Sequence, residues 1–403
     1  MKILILTNEY PNENYPKPDS PWVVPYFARA WVRQGHEVYV IVNSTKFPRL
    51  FYTLGHLFLA SYFTKKYSVN AKNVSSNIWA NEFSFDDQGV RVKNLPILKF
   101  YPGGKFPKPF LNKQIRRIKK HLQEEGFSPD VITGHWLNPQ LLLISKLKTV
   151  FHCKTAFVFH SDYDAERIRK FKTAQYVGKI DHLGCRSLPA AKTLKGNLNL
   201  QFLPFVCPSG VPDEYVARAL KRGEHKFSQG SLRIMTAGRL VPVKMYDRLI
   251  EAAGKLTIPF SVEIVGQGPS EKELANQIEA LGLQGSVSMP GRMGREQLQD
   301  EMRNSDVFVL IGLEVFGLVY IEAMMQGCIV VGMKDGGIDG IIIDKENGFL
   351  CEHGDTTQLV DILNYIYSLS SEDKIRISNN AINTAKNYSD SLVAERYLNN
   401  ITK

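Results

Sequence analysis

The sequence is poor in the features that would send it to several common classes. Its five cysteines, Cys153, Cys185, Cys207, Cys328 and Cys351, are scattered and odd in number. They form no C-x-x-C, so a zinc site or disulfide frame is not expected, and reduced thiols in a cytosol are. The start has one Lys and four Ile or Leu residues before Thr7-Asn8-Glu9, which reads as a first strand rather than a signal peptide. No G-x-G-x-x-G follows that strand, which sets aside the usual dinucleotide oxidoreductase. No RNP-like, zinc-finger or KH-type motif is present, so nucleic acid is not an expected partner. Acidic residues are the minority: 40 Asp and Glu stand against 50 Lys and Arg, a net charge of +10. With a pI near 9.2, an anionic partner is expected, either a nucleotide or a membrane surface.

What is present fits a soluble two-domain chain. The 403 residues exceed one ordinary core, and 44% hydrophobic with 22% charged residues is a globular balance. Apolar strand patterns appear at Lys2–Thr7, Glu37–Val42, Asp130–Thr133, Thr155–Phe159 and Gln201–Val206. They recur more regularly at Leu232–Thr236, Ser261–Val265, Ser286–Met289, Val307–Ile311 and Ile329–Val331. Helical patterns separate them; in Tyr246–Leu256, for example, Leu249, Ile250, Ala253 and Leu256 share one face. Such alternation predicts α/β domains with doubly wound parallel sheets. Residues 1–215 are expected to form one domain and 231–385 a second. The charged, Gly-containing stretch 216–230 reads as the linker, and 386–403 as a final helix.

The organising stretch is Val307–Gly327, VFVLIGLEVFGLVYIEAMMQG. A buried strand breaks at Gly312, passes through Glu314-Val315-Phe316-Gly317 and enters a helix carrying Glu322. Two Glu and two interrupting Gly do not suit a membrane helix. In open α/β sheets ligands bind at such strand ends, where the helix N-terminus can receive phosphate. Upstream, Ala237-Gly238-Arg239-Leu240 is followed by Lys244. Glycine turns recur at Val265-Gly266-Gln267-Gly268, Pro290-Gly291-Arg292-Met293 and Asp335-Gly336-Gly337-Ile338. Two early strands end in Gly134-His135-Trp136 and His160-Ser161-Asp162.

Glu314 and Glu322, with seven residues between them and Phe-Gly after the first, resemble the E-x7-E signature of retaining glycosyltransferases of the GT-B fold, family 4 in particular. The Gly-Arg-Leu…Lys element and the His-Ser-Asp strand end resemble the same family. The resemblance is densest from Arg239 to Gly348. It implies two Rossmann-like domains facing across a cleft, with the last helix crossing back to the N-terminal domain. It implies that Arg239 and Lys244 hold the donor diphosphate, Glu314 the sugar hydroxyls and Glu322 the ribose. His160 would contact the sugar near the transferred carbon. Gly238, Gly266, Gly268, Arg292, Met293, Phe316, Gly317 and Leu318 would line the donor site. His135 and Asp162 would stand on the acceptor side. No protein nucleophile is required, and the leaving phosphate helps deprotonate the acceptor.

The family pattern is not followed everywhere. The first loop carries Asp19-Ser20-Pro21-Trp22 where the family often has Gly-Gly, and Met245 replaces the Gly after the Lys. Ser209 stands where Asn is usual in the Pro-Asn-Gly-Val turn. Gly340 replaces an acidic residue after Gly-Gly-Ile, so that turn is given no catalytic role. Asp162-Tyr163-Asp164 matches a metal-binding D-x-D, but it is explained as the tail of His-Ser-Asp, and neither metal nor other cofactor is expected.

The implied substrates are a nucleotide sugar and a glycan or lipid-linked glycan acceptor, with bacterial surface polysaccharide as the setting. A GT-B sugar-nucleotide epimerase and a non-catalytic nucleotide- or glycan-binding protein remain as alternatives. Lys46–Tyr67 is aromatic in its middle and basic at its ends. It reads either as an interfacial segment on an anionic membrane or as helix packed on the first sheet. The expected location is the cytoplasm, with peripheral contact at the inner face of the plasma membrane.

Overall fold

The structure, a computed structural model, describes residues 1–11, 13–14, 22–48, 80–100, 104–160, 168–169 and 174–402. Most of Lys46–Tyr67, residues 19–21 of the first loop, and Asp162 with its D-x-D triplet lie outside them. The chain forms two compact units. One comprises Met1–Cys185, Ala191–Cys207 and Ala394–Lys403; the other comprises Arg186–Ala190 and Pro208–Val393.

The first unit is built on β1 (Lys2–Thr7), β2 (Glu37–Val42), β3 (Thr45–Lys46), β4 (Phe83–Asp87), β5 (Val90–Asn94), β6 (Ile97–Leu98), β7 (Val131–His135), β8 (Lys154–Phe159), β9 (His182–Cys185) and β10 (Phe205–Val206). Eight of these make one sheet in the order β10-β9-β8-β7-β1-β2-β5-β4. β1 runs parallel to both β2 and β7, so the order reverses about β1, the doubly wound arrangement. β3 and β6 pair separately. The antiparallel β4–β5 edge turns through Gln88 (φ 57) and Gly89 (φ 86), a left-handed pair that suits a two-residue hairpin. Ile3 to Leu6 and Val38 to Val42 are buried almost entirely, because a parallel sheet is covered on both faces.

The second unit has six parallel strands in the order β13-β12-β11-β14-β15-β16. They are β11 (Leu232–Ala237), β12 (Phe260–Val265), β13 (Val287–Gly291), β14 (Val307–Leu310), β15 (Ile329–Met333) and β16 (Phe349–Cys351). Here the order reverses between β11 and β14. The C-terminal ends of those two strands carry the Gly-Arg-Leu loop and the Glu314 loop, so topology alone sets both at the switch point. The apolar face of helix Tyr246–Ala253 buries Leu249, Ile250, Ala252 and Ala253 in the core of this unit.

The stretch read from sequence as a linker, 216–230, begins inside a helix, Asp213–Lys221, that belongs to the second unit. Arg303 donates to the carbonyls of Arg222, Gly223 and Glu224, and Asp306 accepts from the Ser228 amide. Polar side chains, rather than an apolar stripe, tie that stretch down. The last helix, Asp390–Thr402, has its first turn in the second unit and the rest in the first. Trp31 Nε1 donates to the Ala394 carbonyl, and Tyr397 is buried against Phe27 and Trp31. No helix among the described residues is long and apolar enough to cross a membrane.

Candidate active site

At the C-terminal edge of the second sheet the loops meet backbone to backbone. The Gly238 amide donates to Val265, Leu240 to Gln267 and Gly266 to Gly291. A Cβ at Gly266 would lie 1.9 Å from the Gly238 carbonyl oxygen, and one at Gly268 would lie 2.2 Å from that of Leu240. Gly266 and Gly268 are therefore demanded by loop packing, independently of any ligand.

The Glu314 loop is seated in the same way. A Cβ at Gly312 would meet the Lys244 backbone at 2.3 Å, and one at Gly337 would meet the Phe316 amide nitrogen at 2.5 Å. The Gly337 amide donates to the Glu314 carbonyl, so the Asp335–Ile338 turn acts as a clamp on the loop. Gly317, at φ 78, precedes helix Leu318–Gln326; a Cβ there would strike the Tyr320 ring. Phe316 is buried, with its ring 6.2 Å from that of Tyr388, and Leu318 is partly buried against the core.

This scaffold brings Lys244 and Glu314 together, 70 positions apart in the chain. Lys244 ends a short 3-10 helix, Pro242–Lys244, and its ammonium pairs with the Glu314 carboxylate and donates to the Leu313 carbonyl at 3.0 Å. Met245, the residue in place of Gly, adopts a left-handed φ of 55. Arg239 is exposed, and its side chain has no hydrogen bond or ion pair among the described residues. An uncommitted guanidinium and a lysine held by a single carboxylate are suited to an arriving anion.

A cavity of about 480 Å³ is lined by Arg292, Met293, Gly294, Arg295, Leu298 and Glu322. Three residues expected at the donor site from sequence thus share one cavity. Glu322 is nearly covered and lies 3.5 Å from the Arg295 guanidinium. Burial pushes its carboxyl above the ordinary range, with Arg295 pulling the other way. The sequence reading missed Arg295, which also lies over the Tyr215 ring at 5.2 Å. Its one available signal was a second Arg three positions after Arg292 at the start of a helix.

In the first unit, His135 and His160 stand together at the ends of β7 and β8. His135 Nδ1 is 2.9 Å from His160 Nε2, and its Nε2 is 3.3 Å from the Tyr397 hydroxyl. Trp136 stacks on His160 with ring centroids 4.0 Å apart. His135 is wholly buried. Its ring packs against Phe27 and Tyr397 at the end of a strand buried along its whole length, and His160 stands at the more open position. Nearby, a chain of side chains joins strand ends: Gln140 donates to Asn8, Asn43 to Gln140, Gln114 to Asn43, Arg117 to Gln114 and Arg117 to Glu82.

Two doubly wound parallel sheets, the second with cations and carboxylates at its switch point, define the GT-B class of glycosyltransferase folds. The fold agrees with solved structures. The lipopolysaccharide outer core galactosyltransferase WaaB matches over 100% of this chain and 99% of its own, with a TM-score of 0.69 at 14% identity. HepE of Anabaena, determined with UDP and glucose, covers 100% and 99% with a TM-score of 0.64 at 18% identity. Residues 217–384, all within the second unit, match the family model described as glycosyl transferases group 1. In sequence it is similar to a D-inositol 3-phosphate glycosyltransferase of Xylanimonas cellulosilytica, 25% identical over 304 residues, which are 68% of this chain and 73% of that one.

Proposed function

We propose that the protein is a retaining hexosyltransferase of family 4, moving a sugar from a nucleotide-sugar donor to a glycan or lipid-linked glycan acceptor in bacterial surface-polysaccharide synthesis. The observation that carries this reading is the Lys244–Glu314 pair at the switch point, with uncommitted Arg239 five residues before Lys244 in the chain. The described names of WaaB and HepE, which concern a lipopolysaccharide sugar and UDP, support the same direction.

In the reaction, the anomeric C–O bond of the sugar phosphate breaks and its electron pair passes to the phosphate oxygen. Arg239 and Lys244 stabilise the charge that develops there. The acceptor hydroxyl attacks the same face, and its proton passes to the departing phosphate. Glu314 and His160 hold the sugar, with the Phe316 and Gly317 amides beside it. Glu322 takes the ribose hydroxyls, and Arg292 and Met293 border the base. Asp162 belongs to the acceptor side. The basic chain works at the cytoplasmic face of an anionic membrane, and no metal is needed for these steps.

The test is incubation with a panel of nucleotide sugars, following free nucleoside diphosphate, with Arg239→Ala and Glu314→Ala alongside. Slow hydrolysis of one donor by the native protein, lost in both variants, supports the transferase. Turnover of a nucleotide sugar without diphosphate release would turn the reading to an epimerase. Absence of donor binding would end it.

A further inference from the structure

Tyr246 is the first residue of helix Tyr246–Ala253 and is only 3% exposed. Its hydroxyl is buried and has no hydrogen-bond partner among the described residues. Buried phenols almost always find one, because an idle buried hydroxyl forfeits its bond to water. The oxygen lies 2.6 Å from where a Cβ of Gly238 would stand, so the missing side chain at 238 makes the room it occupies. That places an unused donor beside the Gly-Arg-Leu loop.

Its neighbourhood narrows what it serves. Lys244 lies two residues before it, across the left-handed turn at Met245, and pairs with Glu314. Burial first, and then the charge of Glu314, push the Tyr246 phenol well above its ordinary value. Tyr320, the other phenol within the field of Glu314, already donates to the Leu310 carbonyl at 2.6 Å. Of these two phenols, Tyr246 is the one with no acceptor among the described residues.

Lys244 cannot bind the Glu314 carboxylate and a donor diphosphate equally well at once. When a diphosphate draws the ammonium away, Glu314 loses its hydrogen-bonded partner in a part-buried place. Resting on the donor reading above, we propose that Tyr246 is a positioning residue for Glu314: its hydroxyl donates to the Glu314 carboxylate once Lys244 turns to the donor. No proton changes hands. Glu314 keeps its charge, the phenol keeps its hydrogen, and the lysine charge moves to the phosphate. The carboxylate is thereby held to receive sugar hydroxyls instead of turning into solvent.

The exchange can be tested without any ligand by combining Tyr246→Phe with Lys244→Met in thermal unfolding. In the native background, Phe removes an idle hydroxyl and the melting temperature should hold or rise. In the Lys244→Met background the hydroxyl is already engaged, and Phe should lower it by about 2–4 °C. An equal shift in both backgrounds overturns the proposal. If Lys244→Met does not fold, Lys244→Gln serves in its place. With UDP-glucose as donor, Tyr246→Phe should lower kcat by about tenfold with little change in KM. Unchanged kcat in a native protein that turns over donor also overturns it. Coupling in the melts with no turnover of any nucleotide sugar would instead sink the donor reading and leave the Tyr246–Glu314 pairing standing.

Discussion

The two sheets meet the same problem at their C-terminal edges and solve it differently. The second sheet builds its edge from backbone. Glycines at 238, 266, 268, 312, 317 and 337 let loops touch, and this leaves Arg239 exposed without an ion pair and Lys244 with one carboxylate. The first sheet builds its edge from side chains. Asn8, Gln140, Asn43 and Gln114 bond one another, and His135 is bonded to both His160 and Tyr397. In the second unit charge and stability are therefore separable. In the first they are not, because each polar group that could act is also holding a neighbour.

Arg239→Ala tests the first half of that contrast and should have the largest effect. Turnover should fall by about 10²–10³-fold, the loss seen when one group stabilising a developing charge is removed. The melting temperature should not move, since the side chain bonds nothing among the described residues; a large drop in stability would break the distinction. Gly266→Ala tests the backbone edge itself. A methyl group 1.9 Å from a carbonyl oxygen cannot be accommodated without moving the loops. It should cost ~3 kcal/mol in denaturant unfolding of the second unit.

Acid provides a third test. His225 is buried, and burial lowers its imidazole to about 4. The unfolded chain, titrating near 6.5, binds the proton first. The stability His225 contributes is complete above pH 6.5 and is lost as pH falls toward 4. The loss would total about 3 kcal/mol at most. A His225→Gln variant should flatten that window in pH-dependent unfolding; an unchanged slope would count against a neutral buried imidazole. The smallest expected effect belongs to the first sheet. His135→Ala removes one hydrogen bond each from His160 and the Tyr397 hydroxyl, at ~1 kcal/mol apiece, and should lower melting temperature and donor hydrolysis together. Activity lost with stability intact would show that the first edge, too, separates the two.

Sequence reading reached furthest where one segment suffices to define an element. Lys2–Thr7 and Glu37–Val42 were legible to the residue, and the strands of the second unit nearly so, because continuous β-branched runs mark buried parallel strands; of the strand expected at Gln201–Val206 only Phe205–Val206 forms. The β4–β5 edge hairpin escaped despite the alternation in FSFDD and VRVKN, because Gln88-Gly89 is a weak turn signal beside Asn-Gly or Asp-Gly. β9 and β16 are four and three residues long, too short for periodicity to register. Helix Asp213–Lys221 was hidden because its charged residues outweigh its one buried position, Ala219.

By itself the sequence determined the alternation of strands and helices, the glycines at the loops, and the charged residues that the switch point presents. These are local properties, written in spacing and residue type. Only the tertiary structure decided that Lys244 is bonded to Glu314 and that His135 is buried and bonded to His160. It also decided that the Tyr246 hydroxyl is buried with no hydrogen-bond partner among the described residues. Pairing and burial depend on atoms supplied from tens or hundreds of residues away, and no local pattern encodes which of them arrive.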